Sequence, residues 1–102
     1  MLVMVSATVM AQEFFIEGAK IGLKDNSGRV IVQPIYDNVS GFAEGVVAVQ
    51  RNNKWGYIDL AGRTILPFVY DYATCFNDGA AVVKLGEAWA IINRSGRETA
   101  SL

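Results

Sequence analysis

The chain has 102 residues, enough for at most one small domain, and 52% of them are apolar, which excludes a disordered chain. Nine basic and ten acidic residues give a net charge of -1, so the basic stripe that a nucleic-acid partner requires is missing. Histidine, the commonest general base near neutral pH and the commonest metal ligand, is absent, and the lone Cys75 can form no internal disulfide.

Residues 1–11 are uncharged and apolar but for one serine and one threonine. The run is too short for a membrane-spanning helix, which needs about 20 residues. It reads as the apolar part of a secretory signal, with Val9-Met10-Ala11 as a small-residue cleavage site before Gln12. That reading places the protein outside the cytoplasm. The rival reading is an apolar strand of a degenerate earlier repeat, which would leave the protein cytoplasmic. Residues 12–19 follow as a partial leading unit, in which Phe14-Phe15-Ile16-Glu17-Gly18-Ala19 has the form of a last strand.

From Lys20 the chain repeats every 34 residues without a gap. Laying 20–53 on 54–87 gives identity at 11 positions: Lys20/Lys54, Gly22/Gly56, Asp25/Asp59, Gly28/Gly62, Arg29/Arg63, Ile31/Ile65, Tyr36/Tyr70, Asp37/Asp71, Phe42/Phe76, Gly45/Gly79 and Val49/Val83. A third, partial copy occupies 88–102. A fixed period of this length marks a repeat architecture, in which each unit buries its apolar face against the next.

Each copy opens on a strand: 20–25, 54–59 or 88–93. A turn follows, Asp25-Asn26-Ser27-Gly28 and its counterparts Asp59–Gly62 and Asn93–Gly96. The leading Asp or Asn accepts a backbone hydrogen bond two residues on, and the fourth-position glycine takes the positive φ of a type I turn closed by a bulge. The returning strands are 29–33, 63–67 and 97–100. A link of about a dozen residues comes next. Asp37 and Asp71 are expected to cap a short helical turn there, Tyr36/Tyr70 and Phe42/Phe76 to anchor it, and Gly45 and Gly79 to end it. The third strands, Val46–Gln50 and Ala80–Lys84, are apolar at successive positions, which suggests cover on both faces.

Trp55 and Tyr57 point to one face of their strand while Gly56 leaves a bare patch on the other, fit for a neighbouring ring. Successive units would place Trp55 and Trp89 in equivalent stacked positions. The run Lys54-Trp55-Gly56-Tyr57-Ile58-Asp59, with Gly62-Arg63, Tyr70-Asp71 and Phe76-Asn77-Asp78-Gly79-Ala80-Ala81-Val82, resembles the WG-repeat (KWG) family of bacterial proteins. The resemblance covers about residues 20–102. The first copy departs from it with Ile21 for the tryptophan, the third with Ala90 for the glycine. It implies a β-rich repeat protein, often exported to the periplasm or cell surface, that serves as an interaction scaffold and carries no common catalytic residues.

The expected architecture is all-β: tandem units of about three antiparallel strands in an open, solenoid-like or superhelical array, with a small propeller or barrel as the alternative. Asp37, Glu44, Asp71 and Asp78 could be imagined as paired carboxylates, but their recurrence with the period favours turn and capping roles over catalysis. Asp-x-Asp clustering for calcium is missing, so no metal and no cofactor is expected. Cys75 stands where the first copy has Gly41 and reads as a small buried residue. The expected function is a non-catalytic scaffold for a protein partner, with self-association through an open strand edge as a second route. A module binding cell-wall sugar through aromatic rows is the alternative. The expected contact residues are Tyr72 first, as the aromatic that breaks the repeat, then Trp55, Trp89 and Tyr57.

Overall fold

The computed structural model describes residues 12–102; the signal or strand reading of residues 1–11 lies outside them. Eleven strands run in chain order: β1 Gln12–Glu17, β2 Lys20–Asp25, β3 Val30–Tyr36, β4 Asn38–Ala43, β5 Val46–Arg51, β6 Lys54–Asp59, β7 Thr64–Tyr70, β8 Tyr72–Ala73, β9 Ala80–Leu85, β10 Ala88–Asn93 and β11 Glu98–Ser101. They form three antiparallel meanders, ordered β1-β2-β3, β4-β5-β6-β7 and β8-β9-β10-β11 in space. The array is open, with no closed barrel, and no described residue is helical.

The turns follow from their residues. In the β2–β3 hairpin Gly28 N–H donates to Asp25 O (3.0 Å), and Asp25 N–H donates to Arg29 O (3.0 Å). The Asp25 carboxylate also accepts from Ser27 N–H at 3.0 Å. Asp59 and Asn93 repeat this at 2.9 and 3.0 Å, to Ala61 and Ser95. Gly62 at φ +88° has a second duty: a Cβ there would sit 3.0 Å from Val32 Cγ2 of the preceding sheet. The turn glycine therefore serves both the hairpin and the sheet contact.

The link departs from expectation. In place of a capped helical turn, the chain continues as β4 in one copy and as β8 in the next. Asp37 and Asp71 are single-residue corners where a strand leaves one sheet and enters another. Their carboxylates reach partners distant in sequence, not local N–H groups. Asp71 accepts from Lys54 Nζ at 2.6 Å and from Gly86 N–H at 2.7 Å. Asp37 accepts from Lys20 Nζ and, at 3.1 Å, from Asn52 N–H. Each corner thus ties the previous sheet to a hairpin of the next. Gly45 and Gly79 do have positive φ, but so do Glu44 and Asp78 before them, the signature of a two-residue hairpin turn and not of a helix end. The side chain of Phe42 lies outside the described side chains; Tyr36, Tyr70 and Phe76 are buried as expected.

The middle sheet is covered on both faces. Val47, Val49 and Ile58 pack with Leu23, Val32 and Tyr36 of the first sheet. Val46, Ala48, Trp55, Tyr57, Leu66 and Tyr70 pack with Ala73, Phe76, Ala81, Val83 and Ile92 of the last. This is why β5 reads as an unbroken apolar run. Gly56 behaves as its bare patch requires: a Cβ would meet the Phe68 ring at 2.9 Å and Leu66 O at 3.0 Å.

Candidate functional site: an aromatic ladder at the corner of the last sheet

Register places the site. Tyr72 on β8 and Trp89 on β10 are both Cα partners of Lys84 on β9, so the three share a row across the last sheet. Trp55, one period before Trp89, holds the matching place on the middle sheet, opposite Gln50. The Asp71 corner fixes Tyr72 beside both. Its carboxyl is held below the usual range, first by the Lys54 ammonium and then by Gly86 N–H.

Tyr72 bridges the two tryptophans. Its ring meets Trp55 edge-on at 5.8 Å between centroids and Trp89 at 5.9 Å. Both separations suit favourable T-shaped contacts. The tryptophans are therefore equivalent in register but do not stack on each other. They also differ in cover: Trp55 is 5% exposed, Trp89 39%. Lys84 Nζ lies 6.0 Å from the Trp89 centroid, at the outer limit of cation–π range. Tyr72 is 44% exposed, whereas Tyr70 is buried, matching the inference from its break with the repeat.

Tyr57 stands apart from the ladder. It is fully buried, its ring 4.9 Å from Phe76 and 6.3 Å from Tyr70. Its hydroxyl donates to Thr74 O at 2.7 Å across the sheets. Burial pushes its phenol well above the ordinary range. A partner reaching it would first have to part the middle and last sheets.

Beside the ladder an open groove of about 600 Å³ lies over the outer face of the last sheet, lined by Thr74, Cys75, Asn77, Val82 and Ile91 with Ser40. Cys75 is half-buried and its thiol donates to Ser40 O at 2.7 Å. Neither Lys84 nor this groove was apparent among the repeated residues. The signal for Lys84 lay in the two-residue turn at Gly86-Glu87, which sets residue 84 opposite residue 89.

The recurring carboxylates other than Asp78, and the Asn93 amide in the third copy, are engaged in structure. Asp25, Asp59 and Asn93 hold turns, Asp37 and Asp71 hold corners, and Glu44 accepts from Gly79 N–H at 3.0 Å while its carbonyl takes Arg94 Nη1 at 2.8 Å. Among the described residues no three Cys, Asp or Glu side chains gather where a metal ion could sit.

Searches of curated proteins and of solved structures return no match to this chain. A family model described as "WG containing repeat" matches twice, at residues 21–55 and 55–89. Those two stretches carry both glycine patches, both Asp corners and all three rings of the ladder, and the chain belongs to the WG-repeat family.

Proposed function

We propose that the chain is a non-catalytic scaffold that takes a protein partner at the ladder end of the array. One observation carries this reading. Trp89 and Tyr72 are open on the outer face of the last sheet, at the stage of the repeat where Trp55 is sealed beneath its neighbour. Exposed rings on a rigid sheet suit protein contacts, since they bring large area at small entropic cost. The structural employment of Asp25, Asp37, Glu44, Asp59 and Asp71 supports a role without chemistry. Among the described residues β11 pairs with β10 alone, and its other side offers a second route by strand addition.

A sugar-binding module is the second reading, favoured by the exposed Tyr72 ring beside an open groove. Immobilised chain, probed with a cell extract and with a glycan array, separates the two. The scaffold reading expects a saturable protein partner whose retention falls at least about tenfold in Tyr72→Ala, the loss of one hot-spot ring. Glycan signal that disappears in Tyr72→Ala, with no protein retained, would replace it with the sugar-binding reading.

A further inference from the structure

The hairpin that joins β5 to β6 differs in chemistry from its counterparts one period away. It opens on Arg51, where the equivalent positions hold Glu17 and Leu85, so the repeated frame itself requires no guanidinium there. Asn52 and Asn53 follow, where the other hairpins have Gly18-Ala19 and Gly86-Glu87. The backbone changes with the residues. Asn52 and Asn53 both have positive φ, +55° and +68°, whereas the other two turns have it at glycine alone. This tip is therefore differently charged and differently turned.

Arg51 is held in place, yet its donors are unspent. The guanidinium lies over the Phe68 ring at 4.9 Å and over the Tyr36 ring at 5.8 Å, two rings that are themselves stacked within 8° of parallel. The side chain is half-buried. Ring contact restrains it and uses none of its five N–H donors. Among the described residues Arg51 forms no ion pair and donates no side-chain hydrogen bond. The neighbouring cations are committed. Lys54, the Cα partner of Arg51, binds Asp71, and Lys20 binds Asp37, whose second oxygen takes Asn52 N–H at 3.1 Å. Of Lys20, Arg51 and Lys54, Arg51 alone lacks an anion. An arginine side chain carries about 2 kcal/mol of rotamer entropy, and here the rings have removed part of it before any ligand arrives.

We propose that Arg51 receives an aspartate or glutamate carboxylate of the protein partner, two N–H groups to two oxygens, with the exposed Asn52 and Asn53 amides beside it to take the flanking peptide. This inference rests on the scaffold reading above and makes the partner's contact segment acidic. A fixed guanidinium fork matches the two oxygens of a carboxylate. A phosphate has matching oxygens, but its second charge would come beside Asp37 and Asp71 with a single unspent cation to meet it. The anchor also borders the ladder, since Lys54 opposite Arg51 binds Asp71, the residue before Tyr72. Arginine and aromatic anchors are the side chains on which protein interfaces concentrate their binding energy.

The test is an NMR titration of the isotope-labelled full chain with a capped oligoglutamate peptide at fixed ionic strength. It is read at the backbone amides of Asn52 and Asn53, which every variant keeps. The expected result is a saturable shift with Kd of about 1–10 mM, the strength of one charge-assisted contact in water, and none with oligoglutamine. Arg51→Lys keeps the charge but loses the fork and should weaken binding at least about threefold. Arg51→Leu should abolish it, and the frame already accepts leucine at position 85. Unshifted amides, or equal affinity in Arg51→Lys, would overturn the proposal. Inorganic phosphate saturating the site below the peptide's concentration would overturn the choice of carboxylate. In the cell-extract assay, a partner lost in Tyr72→Ala but kept in Arg51→Leu would overturn this inference and leave the scaffold standing. Peptide binding at Arg51 with no protein retained from the extract would overturn the scaffold, and with it the protein source of the carboxylate.

Discussion

The junction between the first and middle sheets and the junction between the middle and last are one design filled in two ways. Both have the lysine-to-aspartate corner and the turn glycine set against the preceding sheet. At the second junction Trp55 and Tyr57 supply the volume, with Ala48 small beside them. At the first, Ile21 and Leu23 occupy those two places and Phe14 stands where Ala48 does. The first junction leaves a residual cavity of about 10 Å³, at the lower bound for holding a water. It adds a sandwich of its own: Tyr36 stacks on Phe68 at 6.0 Å, and Arg51 caps the pair 4.9 Å from the Phe68 ring. The difference teaches that the period fixes the backbone frame, while the apolar filling between frames can be traded among positions as long as it is complete.

Removing the largest filler breaks the comparison most strongly. Tyr57→Ala is expected to lower stability in urea unfolding by about 3–5 kcal/mol, against about 2–4 kcal/mol for Leu23→Ala in the lighter junction. Equal losses would mean that the two junctions are filled alike. Gly56→Ala comes next, at about 1–3 kcal/mol, because its methyl must push the Phe68 ring off Tyr36 and so disturbs the first junction from within the middle sheet. A loss of Arg51 and Phe68 contacts in the variant's crystal structure would verify the route. Tyr57→Phe removes only the bond to Thr74 O and should cost about 1 kcal/mol, a bond that Leu23 cannot make.

The smallest effect tests what the junctions share. Asp37 and Asp71 both titrate below the ordinary carboxylate range, chiefly through Lys20 and Lys54. A folded-state pKa below the unfolded one means that the contribution is present above about pH 4 and is lost as acid protonates the folded carboxyl. The melting temperature of the native chain should therefore fall below about pH 4 more steeply than that of the Asp37→Asn, Asp71→Asn double variant. Each single variant should remove a similar share of the slope, since the two corners are near copies. Parallel curves for native chain and double variant would show that the corners hold nothing.

The legible part of the fold was the part encoded within a few residues or by the period. The Asp-x-x-Gly turns, the Trp-Gly bare patch and the doubly covered β5 run all follow from local chemistry applied to each copy in turn. The corners were misread for a physical reason. Asp37 has its partners 15 and 17 residues away, at Asn52 and Lys20, and a local argument can offer an aspartate only the nearest N–H groups. The identities Lys20/Lys54 and Asp37/Asp71 did signal a shared duty, but not that the two residues meet each other. Of the ladder, Tyr72 was marked by its break with the repeat. The burial of Tyr57 was hidden because alternation gives a side chain's face and says nothing about whether a further sheet covers it.

The one-residue corners also bear on how such a chain can lengthen. A boundary drawn before Lys54 by sequence likeness would cut the middle sheet between β5 and β6, which are paired along their whole length. What is invariant is the interval, not the point where counting starts. A tandem duplication of 34 residues begun at almost any codon would thus regenerate a complete meander and its corner. Recombination within the gene has no privileged breakpoint, and copy number can drift by whole periods without disrupting strand pairing.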